Sequence, residues 1–197
     1  MSAATRRERQ KAANRENVLR AALRIAEREG WPAVTIRRIA EEIEYTSPII
    51  YQHFGSKEAA LQALMEQGYA QLRGELERAV QAAPPGERPP GMALAYLRFA
   101  REQPRLYELM HGLGGVVLDG RARHAAASGV VTLTMQVLGD WAADHHTHLP
   151  DPLAACETAW GVLHGMATLG MLPDIGFERA EHLAVQALDA LLASWSR

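Results

Sequence analysis

Only one cysteine, Cys156, occurs in the 197 residues of this chain. An internal disulfide is therefore excluded. A single thiol set among alanines on a helical stretch reads as a small buried hydrophobe rather than a redox sensor. Also missing is any run close to the roughly 18 uninterrupted apolar residues that a membrane span needs. The arginine-rich start is not followed by an apolar signal-peptide core, which argues against secretion and for a cytoplasmic protein. No alternating strand pattern can be traced, and no phosphate loop, nucleophile elbow or zinc-protease signature is present. With 48% hydrophobic and 22% charged residues, what remains is an all-α globular chain that can bury a real core.

Helical periodicity and Gly/Pro punctuation divide the chain into about nine helices. The first starts at Thr5 or Asn14 and ends at Glu29, before Gly30-Trp31-Pro32. Two short helices follow, and then a long one from Lys57 to about Ala83. Pro84-Pro85-Gly86 and Pro89-Pro90-Gly91 read as a decisive break. Beyond it come helices over Met92–Gln103, from Pro104 to about His111, from Arg121 to about His145, over Pro152–Leu172 and over Phe177–Trp195. The expected organisation is a three-helix head over residues 1–56 and a helical body over residues 57–197.

The densest information lies in residues 34–57, VTIRRIAEEIEYTSPIIYQHFGSK. Ile36, Ile39, Ala40 and Ile43 form an i, i+3, i+4, i+7 stripe, the apolar face of a first short helix. Thr46 and Ser47 then supply start signals, with Pro48 in a first turn where its missing N–H costs nothing. Ile50 and Phe54 make an i, i+4 apolar pair, which leaves Ser47, Tyr51, Gln52 and His53 to face outward, where they can meet bases or phosphates. Charge supports a helix-turn-helix. Residues 1–57 carry 11 Lys/Arg against 7 Asp/Glu, whereas residues 58–197 carry 10 against 16. Arg6, Arg7, Arg9, Lys11 and Arg15 crowd the start, a basic arm of the kind that binds phosphate.

Residues from about 15 to 64 resemble the DNA-binding domain of the TetR family of transcriptional regulators. The resemblance is carried by Val18, Leu19, Ala22, Ile25 and Ala26 ending at Gly30, by Thr35-Ile36-Arg37-Arg38-Ile39-Ala40, and by Ile50-Tyr51-Gln52-His53-Phe54-Gly55-Ser56-Lys57-Glu58. It implies phosphate contacts at Thr35, Tyr51, His53 and Lys57, and base reading by Arg37 with Thr46, Ser47, Pro48 and Gln52 at the recognition helix. The chemistry agrees, since Arg can fork onto guanine and Gln onto adenine. Tyr51 and His53 could instead pack within the head, and Arg38 is as readily a solvated charge as a contact. One departure stands out: the junction reads Glu44-Tyr45-Thr46 where the family often has glycine, so the turn is expected to be either strained, with a non-glycine residue at positive φ at a cost of about 1 kcal/mol, or differently shaped, which leaves the tilt of the recognition helix open.

In the body, Gly161 and Gly165 lie four apart, baring one helical face to another helix at short range. Trp160-Gly161-Val162-Leu163-His164-Gly165 also resembles the WHG-type C-terminal domain of some TetR-family regulators. The resemblance implies a homodimer through the last two helices, a near-palindromic operator on double-stranded DNA, and a small-molecule effector bound in the body. Candidate pocket residues are Tyr96, Phe99, Met110, His111, Met135, Trp160 and His164, although such residues at helical spacing also build plain core. No cofactor and no membrane partner are called for. His145 and His148 have a workable spacing for two metal ligands beside Asp144 or Asp151, but a hydrophilic helix end explains them as well, and no metal is expected. The function implied is a dimeric, ligand-responsive regulator, most simply a repressor. The alternatives are a non-specific architectural DNA binder and, less well supported, a helical enzyme using His111 and His164.

Overall fold

The computed structural model describes residues 3–196. They form nine α-helices and two 3₁₀ turns, with no strand among the described residues. The helices are α1 (Ala3–Glu29), α2 (Ile36–Glu42), α3 (Ser47–Phe54), α4 (Lys57–Ala82), α5 (Arg88–Glu102), α6 (Pro104–His111), α7 (Gly120–Asp144), α8 (Pro152–Gly170) and α9 (Gly176–Trp195). The longer of the two expected starts of α1 is thus observed and exceeded. Pro89-Pro90-Gly91 does not break the chain. Both prolines fall in the first turn of α5, where a proline's absent N–H removes no helical hydrogen bond. Only Ala83, Pro84 and the 3₁₀ turn Pro85–Glu87 separate α4 from α5. No described helix is long and apolar enough to cross a membrane.

Two compact units are present. The first takes Met1–Gly68 and Arg105–Ala126, and the second takes Tyr69–Pro104 and Ala127–Arg197. The boundary between these units runs within α4, and the first unit includes α6. Its core is built on the buried face of α1, where Val18, Ala21, Ala22, Ile25 and Ala26 are all but inaccessible, and on Ile39 and Ile50 from α2 and α3. Trp31 is buried too, and its indole N–H donates to the Arg105 carbonyl at 3.1 Å. Outside this core, Glu42 of α2 accepts from Arg28 at 2.6 and 3.1 Å and from Arg24 at 3.1 Å, tying α2 to α1. The two guanidiniums, Arg28 first, hold the Glu42 carboxyl down from the usual 4.5 to about 2. Because folding lowers this pKa, the pair stabilises the fold above the ordinary carboxylate range, and the contribution drains away as pH falls through about 2. The variant Glu42→Gln is expected to melt below the wild type at pH 7, with the gap closing as the pH approaches about 2. A constant gap across that range would show that the ion pairs do not contribute.

The end of α2 carries the expected strain. Tyr45 N–H reaches the Ala40 carbonyl at 2.9 Å and Glu44 N–H the Glu41 carbonyl at 3.4 Å, the two bonds of a Schellman cap. That cap puts Glu44 at φ 55, in the left-handed region. At the end of α6 the same pair of bonds is made with Gly112 in the strained position, at no steric cost. Replacing Glu44 with glycine is therefore expected to stabilise the protein by about 0.5–1 kcal/mol, whereas Glu44→Ala gains nothing. Urea midpoints of the two variants make the comparison, and equal midpoints would refute the strain argument.

The second unit packs α5, α8 and α9 against one another. Small buried residues recur on α8 and α9. Ala155, Ala159 and Ala167 face inward from one helix, and Ala180 and Ala184 from the other. At Gly170 a Cβ would lie 2.9 Å from the Phe177 ring and 3.1 Å from the Ala180 Cβ, so only glycine admits this approach. Cys156 is buried, its thiol 3.9 Å from the Val131 carbonyl, and burial, then the negative charge of Glu157, pushes its pKa up. The histidine run ends α7 with a second non-glycine Schellman cap, His146 at φ 54. His145 stacks on Trp141 at 4.8 Å and its Nδ1–H donates to the Trp141 carbonyl at 2.8 Å. These contacts give the run a role at the helix end.

Candidate nucleic-acid interface

Two helix starts and one helix face make the candidate surface. Thr35 is the N-cap of α2, and its Oγ1 accepts from Arg38 N–H at 3.2 Å. A hydroxyl that accepts in this way still has its own proton to donate to a phosphate. Thr46 caps α3 with extended backbone but makes no side-chain cap bond, and in the first turn Pro48 has no N–H while the Ile49 N–H donates to the Thr46 carbonyl at 3.0 Å. Along α3, Pro48, Tyr51 and Gln52 are exposed, an i, i+3, i+4 set on the outward face, while Ile50 on the opposite side is fully buried. Ser47, His53 and Lys57 are half-buried around this face. Ser56 caps the start of α4 by accepting from Ala59 N–H at 3.1 Å, which places Lys57 in the first turn of α4.

The arginines divide into two groups. Arg37 pairs with Glu41 at 2.9 Å, but both side chains are largely in solvent, so the pair is weak and its guanidinium is readily exchanged onto a base. Arg38 instead grips both oxygens of Glu29 with two short bonds and belongs to the fold. Arg15 leaves the basic arm altogether. Its Nη1 donates to the His53 carbonyl at 2.8 Å, and its guanidinium lies 4.3 Å over the Phe54 ring. It thereby satisfies and electrostatically complements the C-terminal end of α3. A signal for this was present, since Arg15 stands one turn before Val18 and Leu19 on the buried face of α1. Asn14 beside it accepts from the Tyr45 hydroxyl at 2.9 Å and ties the turn to α1. His53 has a buried Nδ1 without a protein partner, and its pKa is lowered by burial first and then by Lys11 and Arg15. Burial and the two cations thus favour the neutral imidazole, which can still hydrogen-bond a phosphate.

Of the seven pocket candidates, Tyr96, Phe99, Met135, Trp160 and His164 belong to the second unit and Met110 and His111 to the first. Tyr96 and Trp160 line a common cavity of about 30 Å³ with Leu76, Met92, Thr134 and Leu163, a volume on the order of one water. Trp160 is also 47% exposed and stacks on the half-buried His164 at 5.3 Å. Phe99 is fully buried and Met135 half-buried elsewhere in the second unit. Met110 and His111 lie on α6 in the first unit, Met110 against Gly68 and His111 with its ring 4.3 Å from Tyr107.

Two short helices in this arrangement, the second with an exposed polar face, define a helix-turn-helix DNA-binding protein. Residues 18–64 match the family described as bacterial regulatory proteins, tetR family. Residues 90–194 match the tetracyclin repressor-like C-terminal domain. The chain belongs to the TetR family of DNA-binding transcriptional regulators. It is 28% identical over 167 residues to an uncharacterized HTH-type transcriptional regulator of Mycobacterium tuberculosis, Rv0681, covering 82% of this chain and 73% of that protein. Among solved structures it is similar to a protein with unknown function from Rhodococcus sp. RHA1, at 26% identity and a TM-score of 0.79 over 93% of this chain and 95% of the other. The fold is shared with the TetR family regulator PfmR of Thermus thermophilus, at 23% identity, TM-score 0.68 and coverage of 89% and 97%. It is shared also with RolR in complex with resorcinol, at 16% identity, TM-score 0.69 and coverage of 95% and 90%.

Proposed function

We propose that the protein is a dimeric cytoplasmic repressor that leaves a palindromic operator when a small molecule binds its body. The observation that carries the reading is the exposed face of α3, with Pro48, Tyr51 and Gln52 outward beside the capped start of α2 and Lys57. In this reading Arg37, Thr46, Ser47, Pro48 and Gln52 meet base edges. Thr35, Tyr51, His53 and Lys57 hold the backbone on either side. Residues 1–56 act as the DNA-binding part and residues 57–197 as the effector-binding and dimerisation part. Dimerisation through α8 and α9 is supported by Gly161 and Gly165, where a Cβ would have no atom within 4 Å apart from its chain neighbours and its own helix backbone. A two-fold dimer of this kind reads two half-sites set whole helical turns apart.

The effector is the less defined partner. The cavity at Tyr96 and Trp160 is far below the volume of a ligand pocket, so binding there requires the surrounding helices to open. RolR, with resorcinol bound, is a precedent on the same fold. An effector that favours the DNA-incompetent arrangement shifts the population off the operator by no more than its differential affinity.

Selection from random duplex DNA at near-physiological salt tests the proposal. Enrichment of a two-fold symmetric site is the expected result, and retention without any enriched motif would indicate non-specific binding. On the enriched site, Lys57→Ala is expected to weaken binding to all sequences and to lower the salt slope by about one, whereas Gln52→Ala changes which sequence is preferred. An unchanged slope would remove Lys57 from the phosphate contacts, and an unchanged preference would remove Gln52 from base reading.

A further inference from the structure

We infer that the first turns of α1 form a rigid helical arm that grips the DNA backbone outside the half-site read by α3. The inference rests on the operator-binding role proposed above. It concerns a segment that the match to the family's DNA-binding domain, beginning at residue 18, does not include. The arm is residues 5–13, TRRERQKAA, and it is exposed from Arg6 to Ala13. It contains no apolar residue larger than alanine, so it has nothing to bury against a protein partner or in a lipid surface.

Its direction follows from two fixed points. Asn14 is bonded to Tyr45 in the turn and Arg15 to the end of α3, and together they mark the side of α1 that faces the helix-turn-helix. Lys11 stands one turn before both of them, and Arg7 two turns before Asn14, so both continue the same side of the helix past the packed domain. Lys11 is close enough to depress the protonation of His53 on α3. Among the described residues neither Arg7 nor Lys11 is ion-paired. Along the axis they are about 6 Å apart, a separation that suits two nearby phosphates of one strand.

Helix stability does not account for these cations. Arg6 and Arg7 sit near the positive end of the α1 dipole, and the first turn holds no acidic residue. There cations weaken a helix, and an external anion reverses the sign. Because the arm extends a helix already nucleated by the packed segment from Asn14 onward, it holds its charges at fixed spacing without a core of its own.

The test is the full-length double variant Arg7→Ala/Lys11→Ala, with helix content matched to the wild type by circular dichroism. Binding is followed from low to moderate salt on two duplexes of the selected site. One extends about a helical turn beyond each half-site and the other is trimmed to the half-sites. On the long duplex, loss of two phosphate contacts per chain is expected to reduce the salt slope by about 1.8 per chain, with sequence preference unchanged. On the trimmed duplex, wild type and variant are expected to agree. Equal slopes on the long duplex would overturn the arm while leaving operator recognition intact, and a reduced slope on both would place the contacts inside the half-site and overturn the flanking grip. If the wild type enriches no site, operator recognition itself fails. The same slopes on long and short random duplexes then decide the arm.

Discussion

Substituting glutamate for Gly161 is expected to leave each chain folded, to convert the dimer to monomer, and to lower operator affinity by about 10²–10⁴-fold through loss of the second half-site. The expectation rests on space. Apart from its chain neighbours and its own helix backbone, no atom lies within 4 Å of a Cβ at Gly161 or Gly165, so a side chain starts there into open space. In the proposed dimer through α8 and α9 it would meet the partner. Near a two-fold axis equivalent residues face one another, so two carboxylates would be brought together where two bare backbones had packed. Within the subunit the sign is opposite, because glutamate is the better helix former in α8 by about 0.8 kcal/mol. A variant that melts no lower than the wild type yet sediments as a monomer would separate interface from fold. If Gly161→Glu still sediments as a dimer and binds its operator normally, the interface lies elsewhere.

The second large effect is expected inside the first unit. Gly114 follows α6 in a loop whose backbone there does not require glycine, yet its Cβ would fall 2.2 Å from Cδ1 of Trp31. The indole cannot retreat, since it is 1% exposed and its N–H is held by the Arg105 carbonyl. Gly114→Ala is therefore expected to cost about 2–3 kcal/mol. Hydrogen exchange at the amides of α1 and α6 in rising urea reads this unit directly, which matters in a chain with two compact units. Combining the change with Trp31→Leu is expected to cost clearly less than the two single changes added, because the smaller side chain removes the clash. Strict additivity would mean that Gly114 and Trp31 do not compete for the same space.

Local physics made much of this protein legible in its residues. Apolar period, proline and glycine placed the helices of the all-α fold. The Ile36-Ile39-Ala40 stripe and the Thr46-Ser47-Pro48 start marked α2 and α3, and the missing glycine at the junction announced the strain now seen at Glu44. The family assignment followed from the same stretch. These features are local because a helix start, a helix stop or a strained turn depends on residues a few positions apart.

The remainder required atoms distant in the sequence to be in place. Arg15 looked like another cation of a basic arm until the end of α3, 38 residues away, supplied the carbonyl that it caps. Arg38 was as readily a solvated charge as a contact until Glu29 took a donor from each of its terminal nitrogens. Pro89 and Pro90 read as a break, but their effect depends on whether they fall before a helix or within its first turn. Aromatic and methionine side chains on a helical face have the same pattern whether they line a pocket or fill a core. Only packing put Met110 beside Gly68 and brought Tyr96 to the same small cavity as Trp160. Charge and periodicity along the chain therefore determined what kind of protein this is. Which cations remain free for an anionic partner was decided by tertiary contacts, because a guanidinium fixed by a bidentate carboxylate or against the end of another helix is held in place and partly neutralised there.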